Sequence, residues 1–356
     1  MKNQIVNVPC IKTPIKLCPG FAKKGLADYK LDIVALCGFG CRYCSSNAGN
    51  YLRINRKKFA DLTEAQLGQR LYPADAPQLS FHWPDVLERL EEQLASKQKS
   101  WGRGKTLVFS MLTDGFSPLM VKNGITEGAL RMVLERTSFR IRVLTKSAVV
   151  GNRKWIEVFS QFPGRFVVGF STGTIDDEWA QQIEVGTSTP SARLRALRNL
   201  QDAGVPTFGM LCPVFPDMLV DNRLDQLIDL VRPQQVEHFW AEPYNDRCNW
   251  QIVRDGYAPG SFGYEWMTEA FDADDYDLYS AYAVNLYLWL RERAEQEGWL
   301  DKLRYLLYED KITPEHAARV PDLQGLWLQS KPDERGMSRH ATFAALQRES
   351  MTFEAA

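Results

Sequence analysis

Cys37, Cys41 and Cys44 stand together in the run Cys37-Gly-Phe-Gly-Cys41-Arg-Tyr-Cys44. Three thiolates at CxxxCxxC spacing on one loop suit three irons of a cubane cluster and leave the fourth iron without a protein ligand. A site that seals its cluster supplies four cysteines, so a site with three keeps a coordination position for another molecule. Gly38 and Gly40 fit a loop that must wrap a bulky group, because glycine tolerates backbone angles other residues avoid. The reading is a [4Fe–4S] centre on Cys37, Cys41 and Cys44 with one open iron.

Other uses of the thiols fit less well. The chain has 7 cysteines in 356 residues, and buried thiols are common core residues. Zinc would want a fourth Cys or His at matching spacing, and none of His82, His238, His316 and His340 forms such a pair with a second cysteine. A disulfide framework belongs to a small secreted chain with a signal peptide, and no such segment is read here. A reducing, cytoplasmic setting is the expectation.

With 45% hydrophobic and 24% charged residues the composition is that of a soluble globular protein. No apolar run approaches the ~20 residues of a membrane span, and no membrane partner is expected. The net charge of −1 hides an uneven distribution. Residues 1–154 carry 25 Lys and Arg against 12 Asp and Glu, a balance of +13, and the remainder carries −14. A basic half suggests a polyanion, so nucleic acid is the expected partner. The basic groups are Arg53, Arg56, Lys57 and Lys58; Lys97, Lys99, Arg103 and Lys105; and Arg131, Arg136, Arg140, Arg142 and Lys146. Packing of the basic half against the acidic half, or simple solvation, would explain the same numbers.

These residues need elements to position them. Short apolar runs at 31–36, 106–111, 141–145, 166–171, 207–212 and 236–241 read as buried parallel strands. Helix-like stretches at 85–97, 126–136, 153–160, 190–203 and 222–231 alternate with them. Alternation of this kind predicts an α/β fold, a partial (β/α)6 TIM-like barrel. Residues 1–30 read as an irregular strap, 31–250 as the barrel and 251–356 as a mostly helical extension. In such barrels chemistry sits at the C-terminal ends of the strands. Thr113 and Asp114, Thr145 and Lys146, Ser171 and Thr172, Cys212, and Glu242 all fall there, and the cysteine loop follows the first strand.

The cysteine loop resembles that of the radical S-adenosylmethionine (SAM) enzymes, and further segments resemble their spore photoproduct lyase branch. These are Cys44-Ser-Ser-Asn-Ala-Gly-Asn-Tyr51-Leu-Arg53-Ile-Asn55, Leu144-Thr145-Lys146-Ser147, and the series Phe170-Ser171, Glu184-Val-Gly186-Thr187-Ser188, Arg193-Leu-Arg-Ala-Leu, Ala203-Gly204 and Cys212-Pro213-Val214. The resemblance runs over roughly residues 31–245. It implies the barrel fold of that superfamily, a [4Fe–4S] cluster and SAM as cofactors, and an electron donor of flavodoxin or ferredoxin type. It also implies cleavage of SAM to methionine and a 5′-deoxyadenosyl radical that abstracts hydrogen from a substrate, with a nucleic-acid base favoured.

The same resemblance implies roles for single residues. Tyr43 stands where the family places an aromatic ring against adenine. Lys146 and Ser171 meet the methionine part of SAM, and Thr113 and Asp114 lie beside its amino group. Lys146 as a surface charge, Ser171 as a strand-end hydroxyl and Asp114 as a turn cap remain open, as does a Glu184–Arg193 pair bracing the fourth crossover. One departure matters. The branch has a hydrogen-donating cysteine near the end of the second strand, and Phe109-Ser110-Met111-Leu112-Thr113-Asp114 has none. Cys212, Tyr244 and Cys248 are the replacement candidates, and lysis, rearrangement or base modification are all open outcomes. The rival readings are a radical SAM enzyme acting on a peptide or small metabolite, and an iron–sulfur protein without catalysis.

Overall fold

The computed structural model describes residues 4–9, 13–44, 56–72, 76, 79–245 and 248–354. Cys10, Arg53 and the stretch 45–55 of the resemblance lie outside them. The chain divides into two compact units, Met1–Ser171 with Asp176–Thr207, and Thr172–Ile175 with Phe208–Ala356.

The first unit holds β1 (Gln4–Asn7), β2 (Ile15–Leu17), β3 (Tyr29–Leu31), β4 (Val34–Leu36), β5 (Leu79–His82), β6 (Thr106–Phe109), β7 (Arg140–Thr145) and β8 (Phe166–Ser171). Strands β3, β6, β7 and β8 run parallel, side by side in that order, and β2 pairs antiparallel with β3. All six residues of β8, Phe-Val-Val-Gly-Phe-Ser, are buried, as expected of a strand covered on both faces. The helices Ile125–Arg136, Arg153–Ser160 and Pro190–Asp202 fall within one or two residues of expectation.

Two sequence expectations are corrected here. The run 31–36 is two strands, because the chain leaves β3 at Leu31, passes Asp32 and Ile33, and enters a separate three-stranded sheet as β4, with order β1-β5-β4. The first 30 residues are also more than an irregular strap, since β1 pairs with β5 and β2 with β3. Strands of three or four residues carry too little alternation to be read from sequence.

The second unit contains nearly all of β9 (Thr207–Val214), then β10 (Phe239–Pro243), β11 (Leu303–Leu307) and β12 (Leu326–Leu328), each parallel to the next. The C-terminal stretch is therefore not simply helical. Tyr279, Tyr282, Ala283, Leu286, Tyr287 and Leu290 line the buried face of the helix Tyr276–Gln296. No helix among the described residues is long and apolar enough to cross a membrane.

Candidate active site

The cysteine loop leaves β4 and turns at Gly38 and Gly40, whose φ angles of 73° and 63° lie in the left-handed region. A residue with a Cβ pays a steric penalty there, so glycine at both positions lets the loop bend between its thiols. The loop is then fastened to one segment. Arg42 N–H donates to Ile183 O at 2.7 Å, Gly186 N–H donates to Phe39 O at 2.8 Å, and Cys41 forms an antiparallel bridge with Glu184. Gly186 eases this approach, because a Cβ there would stand 3.1 Å from Phe39 O, a tight contact.

Cys41 is buried, and Cys37 and Cys44 are partly exposed. Desolvation pushes the Cys37 thiol up to about 12, with Asp114 and then Cys44 adding to it, and Cys41 is raised by desolvation and by Glu184. The three sulfurs thus lie within each other's electrostatic reach, and a bound cation would be required to hold them as thiolates. Among the described residues no group of three or more His, Cys, Asp or Glu is arranged around a single metal ion. Each thiolate of a cubane binds a different iron, so the three sulfurs of a cluster site stand apart. The donor set and its glycine-bent loop fit the cluster.

Glu184 is the centre of the charged network beside the loop. Asp176 caps the helix Asp177–Ile183 by accepting from Trp179 N–H, and that helix delivers Glu184 at its C-cap. Thr189 and Pro190 begin the next helix as N-cap and first residue, which sets Arg193 in its first turn, fully buried. Arg193 and the Tyr43 hydroxyl both donate to Glu184, and Lys146 Nζ lies 3.0 Å from Glu184 Oε1. Lys146 Nζ also donates to Ser171 Oγ at 2.7 Å and stands 5.4 Å from the centre of the Tyr43 ring. Burial pushes the Glu184 carboxyl up, but Arg193 and then Lys146, with the Tyr43 hydroxyl, outweigh it and hold it at about 2. Tyr43, Lys146 and Ser171 are therefore brought together, and Glu184 joins them to the cysteine loop.

Thr113 and Asp114 sit at the same end of the sheet, each turned to the protein. Thr113 Oγ1 donates to Val34 O at 3.2 Å, tying the end of β6 to β4. Asp114 accepts from Phe116 N–H (2.8 Å), Thr145 Oγ1 (2.9 Å) and Lys146 N–H (2.7 Å). Burial pushes its carboxyl above the usual range against these bonds. Its position fixes the backbone from which the Lys146 side chain springs.

Sequence reasoning missed Ser110. This residue has a φ of 56°, is 1% exposed, and its Oγ has no hydrogen-bond partner among the described residues. A strained backbone with an orphaned hydroxyl at a strand end marks a candidate site residue. Nothing in the residue type signals it.

The three hydrogen-donor candidates belong to the second unit. Cys212 is partly buried and its thiol donates to Glu242 Oε2 at 3.0 Å, while Asn245 donates to Glu242 Oε1 at 3.1 Å. Tyr244 is buried and stacked with Phe215, ring centres 5.5 Å apart. Cys248 is exposed.

The basic groups scatter. Lys57 and Lys58 are exposed on the helix Arg56–Leu67. Arg131 pairs with Glu127 at 2.9 Å, and Arg136 lies 3.8 Å from Glu91. Arg142 is 5% exposed and donates to the carbonyls of Gly25 and Leu26, so it is a structural cation rather than part of a surface. Lys99, Arg103 and Lys105 precede β6 and therefore lie at the opposite end of the parallel strands from Asp114, Lys146 and Ser171.

No family model matches the chain. An uncharacterized protein of Acidianus two-tailed virus is 23% identical over 142 residues, 38% of this chain and 44% of its own length. An uncharacterized protein of Methanocaldococcus jannaschii is 23% identical over 137 residues, 38% of this chain and 49% of its own. The chain thus spans less than half the length of either relative. Among solved structures, a spore photoproduct lyase double mutant with bound AdoMet and dinucleoside spore photoproduct is similar over 75% of this chain and 79% of its own, at 15% identity and a TM-score of 0.43. Streptococcus suis SuiB bound to S-adenosylmethionine is similar over 42% of this chain and 33% of its own, at 10% identity and a TM-score of 0.30.

Proposed function

We propose that the protein is a radical SAM enzyme whose cluster is held by Cys37, Cys41 and Cys44. The observation that carries this reading is the three-thiol, glycine-bent loop bonded to Glu184, which also holds Lys146 and Tyr43. When bound, the cluster supplies a low-potential electron and an open iron for SAM, whose reductive cleavage yields methionine and a 5′-deoxyadenosyl radical. Lys146 supplies a cation for a carboxylate, and Ser171 positions that cation through its hydroxyl. Tyr43 offers a ring face beside it. Asp114 and Thr113 hold the strand ends on which these groups stand.

The favoured substrate is a nucleic-acid base, on the family resemblance and the basic first half. Since Phe109–Asp114 lacks the donor cysteine of the lyase branch, Cys212 with its Glu242 partner is the first replacement candidate, ahead of Tyr244 and Cys248. A small or peptidic substrate is the second reading, and the position of Lys99, Arg103 and Lys105 away from Lys146 favours it. Deuterium on the base distinguishes the two. A nucleic-acid substrate transfers label to 5′-deoxyadenosine and speeds its formation, because a bound C–H bond gives the radical an oriented target. Unlabelled product formed at the same rate with and without oligonucleotide supports the second reading.

A further inference from the structure

The first unit carries a charged surface that the cysteine loop does not use. Segment 97–105 runs from the helix Val86–Ala95 to the start of β6, at the N-terminal ends of the parallel strands. It is stitched down along its length. Ser138 donates through N–H to Trp101 O (2.8 Å) and through its hydroxyl to Lys99 O (2.9 Å), and Arg140 N–H donates to Lys105 O (3.0 Å). Trp101 packs edge-on against Tyr29 and Phe139, and Gly102, at φ 83°, lies so close to Phe139 that a Cβ would come within 2.3 Å of its ring. The backbone beneath the charges is therefore fixed.

Lys97, Lys99, Arg103 and Lys105 are all exposed on this base. Lys105 pairs with Asp28 at 3.0 Å, and Lys97 stands 5.3 Å from the Trp101 ring centre. Lys97, Lys99 and Arg103 have no carboxylate partner among the described residues. Arg165 stands apart from these cations, since it is half-buried and donates to the carbonyls of Phe139 (2.7 Å) and Thr137 (3.0 Å), a structural role like that of Arg142.

Two simpler explanations do not account for these cations. A helix dipole favours basic residues at a C-terminus, but its effect fades within the last turn. The last turn of Val86–Ala95 holds no basic residue, and Lys99, Arg103 and Lys105 lie beyond it. A protein partner fits poorly as well, because interfaces are depleted in Lys and built on apolar cores. No exposed large hydrophobic residue falls within 97–105.

We propose that segment 97–105 binds the phosphate backbone of a nucleic acid at a surface remote from the cysteine loop. Lys and Arg on a rigid base provide sequence-independent phosphate contacts. Such a contact tethers the chain to a strand and raises the local concentration of that strand. The surface stands whether or not the cysteine loop holds a cluster, so it is tested by binding alone.

The test is fluorescence anisotropy of the full chain with a labelled oligothymidine strand and a mixed-sequence duplex over a range of salt. The combined variant Lys97→Ser, Lys99→Ser, Arg103→Ser is expected to lower the slope of log affinity against log salt by about 2 on the single strand. Its affinity at low salt should fall about tenfold or more, and the control Arg153→Ser at the other end of the strands should leave both quantities unchanged. Should the combined variant not fold, as judged by circular dichroism, the single variants are each expected to lower the slope by about 0.7. Unchanged slope and affinity in the folded variants overturn the proposal. So does a wild-type chain that binds neither probe at low salt, or one in which the variants abolish only self-association, which would make a second copy the occupant.

Discussion

Lys146 Nζ and Glu184 Oε1 lie 3.0 Å apart, and the same carboxylate holds Arg193 and the Tyr43 hydroxyl. The lysine that the sequence marks for a ligand is thus tied to the segment that fastens the cysteine loop. Lys146→Ala should weaken SAM binding by roughly 10–100-fold, the equivalent of about 1.5–3 kcal/mol for a lost charged hydrogen bond, with the cluster retained. Calorimetry on the reconstituted protein measures this. Unchanged affinity would remove Lys146 from the ligand site.

Glu184→Ala leaves the fully buried Arg193 without its partner carboxylate. Breaking a buried pair from one side costs about 3–5 kcal/mol, so the variant should unfold at distinctly lower urea, with iron loading impaired because Tyr43 of the cysteine loop loses the acceptor of its hydroxyl. Glu184→Gln should lose less, since the amide oxygen still accepts from Arg193. Equal unfolding midpoints for wild type and Glu184→Ala would show that the pair contributes nothing.

Acid should act on the same carboxyl. Glu184 is lowered from about 4.5 to about 2, so its contribution is fully present above pH 4.5 and is lost as the pH falls through 2. Wild-type apoprotein should therefore lose stability between pH 4.5 and 2 more steeply than Glu184→Gln, which has no proton to take up there. Parallel acid unfolding curves would contradict this assignment.

Asp114 carries a different expectation from that of a ligand. Its carboxylate accepts from Thr145, Lys146 and Phe116, so Asp114→Ala orphans two buried donors and one part-buried one. At about 1–3 kcal/mol per orphaned group the loss should appear first as a lowered thermal midpoint. SAM affinity should fall only through displacement of Lys146. A variant of wild-type stability with abolished SAM binding would restore the direct role.

The sequence carried much of the first unit. Long apolar runs such as Phe-Val-Val-Gly-Phe at 166–170 are legible because a strand buried on both faces has no polar interruption. The site was legible wherever a rare residue pattern carried it, as with Cys37, Cys41 and Cys44, or where a cation ended a strand, as with Lys146. The break at Asp32 and Ile33 was hidden, because one Asp inside a short, otherwise apolar run does not show that the chain changes sheets. Strands β11 and β12 were hidden by brevity and by the helical pattern around them. The burial of Arg142 and the strained Ser110 were hidden for a further reason. Arg142 depends on neighbours distant in sequence, the carbonyls of Gly25 and Leu26, and Ser110 on the fold of the turn that packs Gly115 against its Oγ.

The most direct test is anaerobic reconstitution with iron and sulfide, followed by dithionite and SAM, for wild type and for single alanine variants of every cysteine. The wild-type chain should hold about four irons and form 5′-deoxyadenosine and methionine. Cys37→Ala, Cys41→Ala and Cys44→Ala should lose both the brown chromophore and the product, whereas variants of Cys10, Cys18, Cys212 and Cys248 should keep their iron. A cluster retained without Cys41, or an intact and reducible cluster that forms no 5′-deoxyadenosine, would contradict the radical SAM reading.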